Sequence, residues 1–214
     1  MRSRFESQLE ALQKDMMYMG GLCEEMIARS VDALNGPGQL DEAMIQQTYQ
    51  QMEALEQAIE AHCLKLLLRQ QPVARDLRTV SSALKMVYDM KRIGAQSSEV
   101  ADLISHTTMI QLVDEIPLIK KMAEQVSQMV VGSIDAFVKE SDVLAQEVIA
   151  KDDTVDQYFG TIKEKLASYL GMQSANGDQA IDLLMIAKYL ERIGDHAVNI
   201  AKWVQFAITG QLEG

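Results

Sequence analysis

Apolar positions recur along the chain by steps of three and four, the period of a helix with one buried stripe. Leu9, Leu12, Met16, Met19, Cys23, Met26, Ser30 and Ala33 fall on a single seam in this way. Asn35-Gly36-Pro37-Gly38 ends that pattern, because glycine takes the left-handed conformation just past a helix end and proline beyond it cannot continue the helix. A second helical pattern covers Asp41 to Arg69. Pro72 then opens a third, which reaches His106; proline is tolerated in a first turn, where its missing N–H would have had no intrahelical partner. Strand-like alternation of β-branched residues is absent, so the pattern predicts an all-α chain.

The pattern then starts again. Ile119, Met122, Val126, Met129, Ser133 and Ala136 repeat the register of the first helix at an offset of 103, which places Ser30 on Ser133. Met90-Lys91-Arg92-Ile93-Gly94 aligns with Leu190-Glu191-Arg192-Ile193-Gly194 at an offset of 100, so the second copy is shorter in the loop near Ser174 to Gly177 than the first is around Pro72. This periodicity predicts two tandem three-helix bundles related by a pseudo-twofold duplication, residues 1–107 and 108–214. Helices of this size would be about 45 Å long and would pack as an elongated six-helix bundle.

Composition narrows the function more than the fold. A hydrophobic content of 48% is enough for a core and excludes a disordered chain, and an aromatic content of 5% suits a core of Leu, Ile, Ala and Met. The net charge of −11, shared as −4 and −7 between the halves, argues against nucleic acid as a partner. Cys23 and Cys63 lie in helical apolar patterns and are expected to be reduced core residues. Met1 to Gly20 carries Glu6, Glu10, Lys14 and Asp15 and so lacks the apolar stretch of a secretory signal. No uncharged run reaches the roughly 18 residues of a membrane span. The expectation is a soluble cytoplasmic protein.

On the last helix the core seam is Ile186, Leu190, Ile193, Ala197, Ile200, Val204 and Ala207, which leaves Glu191, Asp195 and Asn199 as an outward stripe at i, i+4 and i+8. Adjacent carboxylates at that spacing repel unless a cation lies between them, and hard cations take oxygen ligands. Asp152, Asp153 and Asp156 form a second acidic group on the preceding helix, with Asp152 and Asp156 at the edge of its seam. The two stripes are candidates to converge on one cation or cluster; the alternative is a solvated acidic face. At the corresponding first-half positions stand Lys91, Ala95 and Glu99, with Tyr49 for Asp152 and Glu53 for Asp156. The Lys91 ammonium is expected to occupy the place of a metal there and to pair with Glu53.

Other groups carry less. His62, His106 and His196 lack the spacing of a di-iron motif, and His196, at the flank of the seam, reads as structural or interfacial. Lys65, Arg69, Arg75 and Arg78 around Pro72 form either an anion site at a helix start or solvated charges paired with Asp76. Trp203 and Phe206 read as terminal packing rather than a partner surface. No phosphate-binding glycine loop, G-x-S-x-G or nucleophile and base pair is present.

Leu190-Glu191-Arg192-Ile193-Gly194-Asp195-His196-Ala197-Val198-Asn199-Ile200-Ala201 resembles the E-R-I-G-D-x-A-x-N-I-A signature of the PhoU family, regulators attached to bacterial high-affinity phosphate uptake. Gln71-Pro72-Val73-Ala74-Arg75-Asp76-Leu77-Arg78 resembles that family's Q-P-x-A-x-D-L-R segment, and Phe5 through Leu34, with Met19-Gly20-Gly21, its first helix. The resemblance runs essentially end to end. It implies two three-helix bundles whose acidic stripes hold divalent or iron-type metal ions. Carried over by position, the ligands are Asp152, Asp156, Glu191, Asp195 and Asn199. It further implies a non-enzymatic regulator that links the phosphate transporter ATPase subunit to a sensor histidine kinase, held off while phosphate is plentiful, and a protein that self-associates as a homo-oligomer, a dimer. The first repeat departs from the signature at Lys91-Arg92-Ile93-Gly94-Ala95, so metal is expected in the second repeat only. Two other readings stand beside this one: a structural adapter or oligomerisation bundle with no metal role, and a metal-dependent hydrolase, which would need an open coordination position and a pocket base.

Overall fold

In a chain without strand patterns, amphipathic seams of this length find their cover in other helices, and the computed structural model, which describes residues 2–35, 40–69, 74–106, 117–172 and 177–211, closes them in that way. The helices are α1 (Arg2–Asp32, tightening into a 3-10 turn at Ala33–Asn35), α2 (Glu42–Arg69), α3 (Ala74–His106), α4 (Leu118–Val138), α5 (Asp142–Ala150), α6 (Asp152–Met172) and α7 (Gly177–Thr209). No strand occurs among the described residues. The expected boundary between the halves after residue 107, Pro72, and most of the Ser174 to Gly177 loop lie outside them.

Local chemistry sets the helix ends. The Asp41 carboxylate accepts the Met44 N–H at 3.0 Å and caps α2. At the end of α4, Glu140 adopts a left-handed φ of 47°. The Ser141 N–H then reaches the Ala136 carbonyl at 2.9 Å and the Glu140 N–H reaches that of Phe137 at 3.2 Å, the paired bonds of a Schellman ending. Ser141 in turn caps α5, accepting the Leu144 N–H at 3.3 Å.

The pattern predicts one helix where the structure has α5 and α6, interrupted at Lys151. The Lys151 carbonyl accepts the Thr154 N–H at 3.1 Å, which starts a new first turn occupied by Asp152 and Asp153. A first turn is where acidic side chains are favoured, since unpaired N–H groups and the positive end of the helix dipole lie there. A hydrophobic period does not register such a break, because the seam passes through it from Val148 to Val155, both buried.

The predicted seams of α1, α4 and α7 are buried, Leu9 and Ala207 least completely, and one hydrophobic cluster runs through both repeats. Helix α3 packs along α7 and α1 against α4, so each repeat contributes two helices to the contact between them. Gly20 makes the α1–α4 approach close: a Cβ there would stand 2.5 Å from Ile134 Cδ1 and 3.1 Å from its Cγ2. Within the first repeat, the Ser30 hydroxyl lies 2.7 Å from both the Met26 and Ser97 carbonyls, and Cys23 Sγ lies 3.4 Å from the Met90 carbonyl. Both cysteines are free and buried; burial pushes the Cys63 thiol up to about 12 and that of Cys23 higher.

Two of the basic residues near Pro72, Arg75 and Arg78, make contacts between the repeats. Arg75 pairs with Glu140 at 2.5 Å, where the sequence suggested Asp76, and Arg78 Nε lies 3.4 Å from the Ala207 carbonyl. A partner distant in sequence has displaced the local one. Trp203 packs on the core and meets Phe206 edge-on at 5.8 Å. No helix among the described residues is long and apolar enough to cross a membrane.

Candidate metal centre

The break at Lys151 places Asp152 and Asp153 at the start of α6, with Asp156 one turn later, and α7 lies alongside. Burial of Leu190 and Ile193 turns Glu191 into the groove between these helices, where its side chain is 15% exposed, while Asp195 lies farther out. The carboxylates act on one another. Burial, followed by the like charges of Asp156, Asp195, Asp153 and Glu191, pushes Asp152 up from 3.8 to about 6. Asp195 is raised too, by burial first and then by Glu191 and Asp156, against the opposing effect of Lys188 and His196. The structure thus brings Asp152, Asp156, Glu191 and Asp195 into one electrostatic neighbourhood without drawing them to a point. Among the described residues, no three His, Cys, Asp or Glu side chains meet closely enough to enclose an ion.

One cation of the chain itself lies here. The Lys188 ammonium forms an ion pair with Glu191 Oε2 and stands 5.2 Å from the centre of the Phe159 ring. Glu191 Oε2 is buried, and this ion pair is the contact recorded for it. Lys188 stands three residues before Glu191, one turn away on the same helix face, and that local spacing is the signal in the sequence that marks the pair.

Asn199 is placed differently. It is exposed, and its amide nitrogen reaches toward the first repeat, 3.5 Å from Asp89 Oδ1. The same carboxylate oxygen lies 2.8 Å from His196 Nδ1. His196 is therefore an interface residue, as expected, and its buried partner Asp89 is 107 residues away, out of reach of any local spacing rule.

At the matching face of the first repeat, Lys91 Nζ lies 2.6 Å from Glu56 Oε2 and 4.0 Å from Glu53 Oε1. The expected Glu53 contact is present at its outer limit, and Glu56 is the main partner. The hydrogen bond to Glu56 is the chief reason that the Lys91 ammonium holds its proton more tightly than usual.

The donor set of the second repeat fits a hard cation. It consists of carboxylate oxygens from two helices, and two of these acids, Asp152 and Asp195, are raised by burial and then by the like charges around them. The first-repeat face, with Tyr49 and Ala95 in place of carboxylates and an ammonium already seated, does not.

Comparison with known proteins agrees with the duplicated architecture. A family model described as PhoU domain matches twice, over residues 16–104 and 119–204. The chain is 30% identical to a Clostridium acetobutylicum protein described as a phosphate-specific transport system accessory protein PhoU homolog, over 98% of this chain and 96% of that one. A Pseudomonas aeruginosa protein of the same description is 32% identical, over 97% and 86%. The crystal structure of PhoU from Pseudomonas aeruginosa superposes with a TM-score of 0.86 at 32% identity, covering 97% of this chain and 100% of that one. A phosphate transport system regulatory protein PhoU from Streptococcus pneumoniae shares the fold, with a TM-score of 0.89 at 24% identity over 98% and 99%. With both repeats matched and relatives aligned from end to end, this chain belongs to the PhoU family.

Proposed function

We propose that this protein is a cytoplasmic, non-enzymatic regulator of phosphate uptake and of phosphate-starvation signalling, working as a dimer between a phosphate transporter ATPase subunit and a sensor histidine kinase. The observation that carries this reading is the near full-length likeness, through both repeats, to proteins described as accessory to phosphate-specific transport. In the same reading the acidic face of α6 and α7 holds a divalent or iron-type cation on Asp152, Asp156, Glu191 and Asp195, with Asn199 at its edge. The mutual crowding of these carboxylates supports that part. A cation bound there would supply positive charge to offset the crowded carboxylates of α6 and α7.

A structural adapter without a metal role is the second reading. The observation in its favour is that Lys188 already pairs with Glu191. Affinity purification from phosphate-replete bacterial cells, read by mass spectrometry, separates the two. Wild type is expected to recover a transporter ATPase subunit or a sensor kinase, and the Glu191→Ala/Asp195→Ala variant to lose it. Equal recovery by both proteins favours the metal-free adapter. Recovery of neither partner by wild type contradicts the regulatory reading.

A further inference from the structure

The two repeats present the same helix faces with different charges. On the α6–α7 face stand Asp152, Asp156, Glu191 and Asp195, and the lysine nearby, Lys188, pairs within its own helix. On the α2–α3 face the equivalent positions are Tyr49, Glu53, Lys91 and Ala95: the charge at the Glu191 position is reversed, and two carboxylates are gone. Glu56, which occupies the place of Phe159, supplies the missing partner. Its side chain is 9% exposed and lies 2.6 Å from Lys91 Nζ, so the ammonium reaches from α3 to α2 and touches a nearly buried oxygen there. Glu53, at 4.0 Å, lies on the outer side of the same ammonium.

We propose that Lys91 is the resident cation of the first repeat: its ammonium bridges α3 to the α2 carboxylates, in the role that an external hard cation would fill for the carboxylates of α6 and α7, and the first-repeat face consequently holds no metal. An ammonium seated against Glu56 repels a second cation at close range. It also relieves Glu56, since a nearly buried carboxylate without a counter-charge would be costly. The comparison with the second repeat rests on the proposed metal reading; the role of Lys91 within its own repeat does not.

The test uses the full chain with the second-repeat face neutralised, Asp152→Asn/Asp156→Asn/Glu191→Gln/Asp195→Asn, its helicity checked by circular dichroism. In that background Mn2+ binding is measured by calorimetry, and melting is followed with chelator and with Mn2+. With Lys91 present, no Mn2+ binding is expected. Adding Lys91→Met is expected to lower the melting temperature by about 4 °C in chelator and to make it rise again with Mn2+. Adding Lys91→Glu/Ala95→Asp instead is expected to create a Mn2+ site; should that variant fail to fold, Lys91→Met decides alone. Mn2+ binding by the neutralised protein with Lys91 in place would overturn the proposal, as would a Lys91→Met melting temperature unmoved by Mn2+. Absence of Mn2+ binding by the unaltered protein would instead remove the metal reading of the second repeat, leaving the Lys91 result to stand or fall separately.

Discussion

Asp152 opens α6 among like charges, and Asp152→Asn removes one of those charges while keeping the shape of the side chain. Its carboxyl is raised from 3.8 to about 6 in the folded protein. At 1.36 kcal/mol per tenfold in acidity, this corresponds to a ceiling of about 3 kcal/mol against the ionised folded state. Asp152 is only partly buried, so solvent screening reduces the effect to about 1–2 kcal/mol. Losing a negative charge from a helix first turn costs about 0.5 kcal/mol in the other direction. The net expectation is a gain of about 1 kcal/mol at pH 7 in chelator, or about 2–4 °C in melting temperature for a chain of this size. The sign follows from proton binding. Between about pH 4 and pH 6 the folded protein holds a proton that the unfolded chain has released, so wild-type stability falls as pH rises through that window and stays lower above it. The advantage of Asp152→Asn should therefore grow from about pH 4 to about pH 6 and then level off. At saturating Mn2+ the sign should reverse, since a ligand of the folded state is weakened. A variant that melts below wild type in chelator at pH 7, or a difference that does not change with pH, would refute the reasoning.

Two further substitutions test packing and charge. Gly20→Ala is expected to cost about 1–2 kcal/mol in urea unfolding, because overpacking against Ile134 outweighs the gain of about 1 kcal/mol from replacing a helical glycine. Gly21→Ala, with nothing within 4 Å of the new Cβ, should stabilise, and equal behaviour of the two would contradict the close α1–α4 approach. Lys188→Met removes a cation that competes for Glu191, so Mn2+ affinity by calorimetry should rise about tenfold; a fall would show that Lys188 assists binding.

The fold was legible because helix seams are local: steps of three and four from Leu9 to Ala33 and from Ile186 to Ala207 name buried faces without knowledge of what covers them. The internal repeat then supplied the topology. The break at Lys151 escaped this reading, since acidic preference for a first turn is invisible to an apolar period that continues from Val148 to Val155. The α6–α7 carboxylates were legible as a group for the same local reason, spacing by one turn on neighbouring helices. Their partners were less so. Glu56 was missed because Phe159 at its counterpart gave no cue, and Asp89 because its contacts with His196 and Asn199 depend on how the repeats pack. Arg75 shows the same limit: Asp76 adjoins it in sequence, but folding brings Glu140.

The acidic face of the second repeat is the point on which the account turns, and metal content tests it most directly. Protein purified without chelator should carry divalent or iron-type metal, measured by elemental mass spectrometry, and the Glu191→Ala/Asp195→Ala variant, folded and equally pure, should carry none. Metal retained at the same ratio by the variant, or absent from wild type even after Mn2+ is supplied, would contradict it.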